Sequence, residues 1–133
     1  MITKRYKSEY EAWKKHRIAE KHGFFQIWQD FREFLPQNQL TGGALRLYLF
    51  FGIVSNNWTG HSWHSVKRIA KELGCGERSV LKWARELSDA GLIYRSQKKL
   101  NGVAHTYLRP YGPRPDQVGG ASINSDDSQS DET

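Results

Sequence analysis

Tyr6, Tyr10 and Trp13 recur at helical spacing in KRYKSEYEAWKKHRIAEKH, followed by Arg17 or Ile18, with Lys, Arg and Glu between them. This pattern predicts a helix over 4–22 with an aromatic stripe on one side. Gly23 is its expected stop. In FFQIWQDFREFLP the apolar positions Phe24, Ile27 or Trp28, Phe31, and Phe34 or Leu35 lie three or four apart. An extended lead-in at Phe24-Phe25 and a short helix ending before Pro36 are expected. From Ala44 to Val54 the chain is almost wholly apolar, and periodicity does not separate a buried strand from a buried helix there. Length and the Asn56-Asn57 pair after it favour a helix.

WTGHSWHS reads as a turn with a short strand around Ser62-Trp63. Ser65 is then an N-cap for a helix whose apolar face is Val66, Ile69, Ala70 and Leu73, and Gly74 suits its C-terminal stop. A further helix is expected from about Glu77 to Ala90, with Val80, Leu81, Ala84 and Leu87 inward and Gly91 ending it. The period then changes to two. Leu92-Ile93-Tyr94-Arg95-Ser96-Gln97 and Val103-Ala104-His105-Thr106-Tyr107-Leu108 flank Asn101-Gly102, a strong hairpin signal. Residues 113–133, rich in Gly, Ser and Asp, are expected to be disordered.

Length and charge sharpen this outline. A chain of 133 residues suits one domain, and five Trp among 13% aromatics suffice for a small core. The net charge of +6 is unevenly spread. In 113–133, Arg114 stands against Asp116, Asp126, Asp127, Asp131 and Glu132, a net −4, which leaves 1–112 at +10. So basic a body is predisposed toward polyanions; a merely solvated surface is the plainer reading. No apolar run is long enough to span a membrane, and MITKRYKSEYEAWKK lacks a signal peptide's apolar segment. The single cysteine makes no intramolecular disulfide, and a cytoplasmic, nucleoid-associated protein is expected.

The residues offer little for catalysis or cofactor binding. Gly74-Cys75-Gly76 follows a helix and completes neither a dinucleotide-binding nor a Walker pattern. His61 and His64 form H-x-x-H without the second pair a zinc site needs, and His105 reads as structural. Cys75 reads first as a packed thiol; Arg78 and a nearby helix N-terminus support a redox-sensing alternative. A non-enzymatic protein without cofactor, metal or small-molecule ligand is expected.

Ile69-Ala70-x-x-Leu73-Gly74, then Arg78-Ser79-Val80, then Leu87-x-x-Ala90-Gly91-Leu92-Ile93 resembles the bacterial winged helix-turn-helix DNA-binding family. The likeness runs from LTGGALRLYLF through SWHSVKRIAKELG and CGERSVLKWARELSDAGLIYR to VAHTYLRPY, about half the chain. FFQIWQDF also looks like the segment that leads into such domains. The form is shared by transcriptional regulators and by plasmid or phage replication initiators. The resemblance implies a mainly α fold with a small β-hairpin, with an N-terminal helical, aromatic extension over 1–36. The winged helix-turn-helix would cover 37–112, and the acidic tail 113–133.

The resemblance also implies double-stranded DNA as partner. Arg78, Ser79, Lys82 and Arg85 lie on the polar side of the expected recognition helix, Arg78 and Ser79 in its first turn. Lys67, Arg68 and Lys71, with His64 and Ser65 at the preceding helix's start, face the phosphate backbone. Arg95, Lys98, Lys99 and Asn101 belong to the wing. Tyr6, Tyr10 and Trp13 either dock a partner or a second copy, giving a homodimer, or pack on the chain's own core. Family members usually carry Ser, Thr or Asp where Gly76 stands, and a small residue where Trp83 stands; Trp83 is expected to lean on the N-terminal aromatic segment or the wing. Three roles follow: a transcriptional regulator as the leading one, a replication-initiation protein, and a winged-helix protein-interaction module.

Overall fold

The N-terminal periodicity produces a helix, α1 (Ile2–Ala19), and none of its residues is buried. The computed structural model describes residues 2–96 and 104–113. The stop of α1 falls earlier than Gly23. Lys21 adopts the left-handed conformation (φ 60°), His22 N–H donates to Arg17 O (3.1 Å) and Lys21 N–H to Ile18 O (2.9 Å). These two bonds satisfy the terminal carbonyls that glycine was expected to serve.

The chain then runs extended into a short 3₁₀ helix, Gln29–Phe34. Trp28 N–H donates to the Tyr111 hydroxyl (2.9 Å) and Phe31 stacks on Tyr48 (4.9 Å between centroids), so this segment belongs to the central core. Phe25 meets Tyr48 edge-on and lies over Gly52, where an added Cβ would come within 2.1 Å of its ring. Burial raises the Tyr48 phenol's pKa far above its ordinary value, and Tyr111 raises it further.

The apolar run forms α2 (Gly42–Val54), with Ala44, Leu47, Tyr48, Phe51 and Gly52 buried. Thr41 caps it, accepting from Ala44 N–H (3.3 Å). After a turn come β1 (His61–Ser62), α3 (Val66–Leu73), α4 (Glu77–Asp89), β2 (Ile93–Ser96) and β3 (His105–Leu108). The core joins Leu40, Leu47 and Phe51 to Ile69 of α3, Val80 and Leu87 of α4, and Leu92 and Ile93. The short strand expected around Ser62-Trp63 forms as β1 and joins the two hairpin strands in one sheet. The antiparallel order is β1-β3-β2, with His61 opposite Tyr107 and Ser96 opposite His105. The Asn101-Gly102 turn and the 113–133 tail, beyond Pro113, lie outside the described residues. Among those described, no helix is long and apolar enough to cross a membrane.

Trp83, expected on the N-terminal aromatic segment or the wing, packs on α2. Its indole fills the space over Gly43 of α2, where an added Cβ would lie 2.0 Å from Cε2. The extra room is supplied by a missing side chain on the facing helix, which no local pattern announces. Gly43→Ala is expected to cost about 1–3 kcal/mol by overpacking. In a Trp83→Ala background the same change should cost nothing, or stabilise through helix propensity. Urea denaturation of the four chains measures this coupling; additive effects would break the assignment.

Candidate nucleic-acid interface

Two glycine-ended helices set the geometry. Ser65 caps α3 by accepting from Arg68 N–H (3.1 Å). Gly74 ends it at φ 67°, with Cys75 N–H reaching back to Ala70 O (3.0 Å). Only glycine takes that conformation at no steric cost. Gly76 starts α4 in an extended conformation without a side-chain cap. Cys75, between them, is half-buried against the core.

α4 buries Leu87 in the common core and meets α2 at two further places: Trp83 sits on Gly43, and the Glu86 carboxylate accepts from Thr41 N–H (3.0 Å) and Oγ (2.9 Å). One α4 carboxylate thus holds the residue that caps α2. The opposite side of α4 stays open: Arg78, Lys82 and Arg85 are exposed and Ser79 is half-buried. Leu81, expected inward, is 57% exposed. It stands three residues after Arg78 and four before Arg85, so its helical angle places it with the cations rather than with Val80 and Ala84. That spacing was visible in the sequence; the residue type disguised it.

On α3, Lys67, Arg68 and Lys71 are all exposed. Arg68 Nε lies 3.4 Å from Glu72, an exposed pair one turn apart that contributes little to stability. The wing residues divide. Lys98, Lys99 and Asn101 lie outside the described residues. Arg95 is turned inward: its guanidinium donates to Thr106 Oγ1 and to the His64 backbone oxygen (3.0 Å), 5.9 Å from the Phe51 ring centre. Burial lowers its pKa from the usual arginine value. Arg95 therefore ties the sheet to the start of α3 rather than reaching outward from the wing. Its position on the inner face, beside Thr106 in the strand register, is the reason.

His64 precedes the α3 cap, edge-on to Phe50 (5.3 Å), and its Nδ1 is buried without a hydrogen-bond partner among the described residues. Burial lowers its pKa below 6.5; Arg68 and Arg95 lower it too, against an opposing pull from Glu72. With the folded pKa below the unfolded one, the unfolded chain binds more protons as pH falls. Stability should therefore decline on acidification through about 6.5. The difference between wild type and His64→Gln in pH-dependent melting isolates this contribution from His61 and His105; parallel profiles would refute it. His61 Nε2 lies 2.9 Å from His105 Nδ1, and His61 stacks on Tyr107 (4.3 Å between centroids), so neither turns toward His64.

Tyr6, Tyr10 and Trp13 are exposed, and the Tyr10 and Trp13 rings meet at a tilted contact, 5.6 Å between centroids. They do not pack on the chain's own core, where Phe25 of the extended stretch, Phe31 of the 3₁₀ segment and Tyr48 of α2 meet.

The glycine turn between α3 and α4, with α4 packed on both α3 and α2, is the arrangement expected of one family. Residues 38–93 match the helix-turn-helix domain family. The three-stranded sheet appended to these helices is consistent with the winged form expected above. Two solved structures are similar to the chain, one described as a Rep–DNA complex and one as the N-terminal domain of a DNA-binding protein. Each is 18% identical with a TM-score of 0.47; 88% of this chain is covered, against 94% and 93% of theirs. No curated protein matches the chain. In the helix-turn-helix domain, α3 is the first helix, α4 the second, and the Arg78–Lys82–Arg85 side faces outward from it.

Proposed function

We propose that the chain binds double-stranded DNA with sequence preference, α4 lying in the major groove, and that it acts as a transcriptional regulator. The observation that supports this reading is the outward cationic side of α4 on a helix anchored by Leu87, Trp83 and Glu86. A reading helix needs an anchored apolar side and a free polar one. Arg78 and Ser79, in the first turn, are assigned to base edges; Lys82 and Arg85 to phosphates. Lys67 and Lys71 line the phosphate backbone alongside α3, with the His64–Ser65 start of that helix nearby. Lys98, Lys99 and Asn101 keep their assignment to the wing. Arg95 is reassigned to positioning His64. The activity is binding rather than catalysis, carried out in the cytoplasm on the nucleoid, and the exposed α1 stripe is assigned to homodimer formation.

Selection from a pool of random duplexes tests the reading. An enriched motif is expected, two-fold symmetric for a dimer, and absence of enrichment at low salt would defeat it. A motif recurring at promoters supports the regulatory role, whereas one confined to a replication origin transfers the protein to initiation. Lys71→Ala should weaken binding to selected and unselected duplexes alike and reduce the slope of log K against log salt by about one. An unchanged slope would remove Lys71 from the interface.

A further inference from the structure

Leu81 has no role in the core. The buried residues of α4 are Val80, Ala84 and Leu87. Trp83 and Glu86 turn toward α2, through Gly43 and Thr41. α3 packs against α4 as well, yet Leu81 remains 57% exposed. It is the apolar member of a side otherwise made of Arg78, Lys82 and Arg85. A single leucine among three cations is too small a patch for a protein partner, while the cations favour a polyanion.

We propose that Leu81 is a specificity-determining residue that reads the C5 methyl group of thymine. The inference rests on the DNA-binding reading above. A major groove presents hydrogen-bond donors, acceptors and one apolar group, the thymine methyl. An isobutyl side chain forms no hydrogen bond. Pressed against the amino or carbonyl edge of a G·C pair, it strips water from a polar group and offers no replacement. Pressed against the methyl, it buries apolar surface on both partners. Leu81 thereby selects for thymine and against the cytosine amino group at one position. Arg78 lies one turn earlier, about 4.5 Å along the helix axis, so its guanine contact falls within about a base pair or two of the thymine at 3.4 Å per step. The preferred site contains guanine and thymine close together.

The test uses the full chain and a duplex recovered from the random pool, synthesised with thymine and again with deoxyuridine replacing thymine one position at a time. Uracil keeps every hydrogen-bonding group and removes only the methyl. Wild type should lose about fourfold in affinity at the contacted position, the equivalent of one buried methyl. Leu81→Ala should bind the thymine duplex more weakly and be indifferent to that replacement. Because Leu81 is exposed and alanine is a strong helix former, this variant is expected to fold; circular dichroism checks it. Equal affinity of wild type for every thymine and uracil duplex would overturn the proposal. So would unchanged methyl sensitivity in Leu81→Ala. Failure of the pool to yield any bound duplex is a separate outcome, which removes the DNA-binding reading and this inference with it.

Discussion

Replacing Arg78 with alanine is expected to raise the Kd for the selected duplex by about five- to 150-fold, matching the 1–3 kcal/mol carried by a good bidentate base contact. Binding to an unselected duplex should weaken far less, since that affinity comes from many phosphate contacts. Arg78 stands in the first turn of α4, exposed, and joins no ion pair among the described residues. Its guanidinium is thus available to the O6 and N7 acceptors of guanine. Lysine at this position keeps the charge but loses the fork, so Arg78→Lys should restore phosphate attraction and not base preference. Competition binding with selected and scrambled duplexes reads the ratio. A proportional loss on both would make Arg78 a phosphate contact and move base reading elsewhere on α4.

Phe51→Ala carries the largest expected cost to stability, about 3–5 kcal/mol. The ring is fully buried in α2, 6.0 Å from Phe50, with the Arg95 guanidinium 5.9 Å from its centre. Its removal leaves a void among helices already packed on each other, and withdraws the surface on which Arg95 rests. Arg95 holds the His64 carbonyl, so disturbance at Phe51 reaches the start of α3. Folded stabilities are commonly about 5–15 kcal/mol, so the variant should approach the threshold of unfolding. Urea denaturation measures it. A loss below about 1 kcal/mol would mean that the surrounding side chains collapse into the space, and that Phe51 is not the keystone of this core.

Much of the helix-turn-helix was legible because its signals are local. Ser65 as a cap, Gly74 and Gly91 as left-handed stops, and the Ile69-Ala70 and Val80-Ala84-Leu87 stripes follow from backbone sterics and from 3.6-residue periodicity. The apolar α2 was legible from length and punctuation. At Leu81 hydrophobic character and helical angle point opposite ways, and the angle wins. Lys21 carries no local signal of a stop, because a non-glycine residue at positive φ is uncommon.

Local spacing dictates which segments become helices, where the elbow bends, and that α4 carries a cationic side. These depend on interactions within a few residues, where spacing equals geometry. Tertiary structure decided what each side chain meets across elements separated in the chain. It placed Trp83 on Gly43, Glu86 on Thr41 and Arg95 under His64, and left the α1 rings uncovered. A vacancy opposite an indole, or a carbonyl within reach of a guanidinium, exists only after distant segments have packed. The open side of α4 was written locally, but its anchorage comes from partners about 40 residues earlier in the chain.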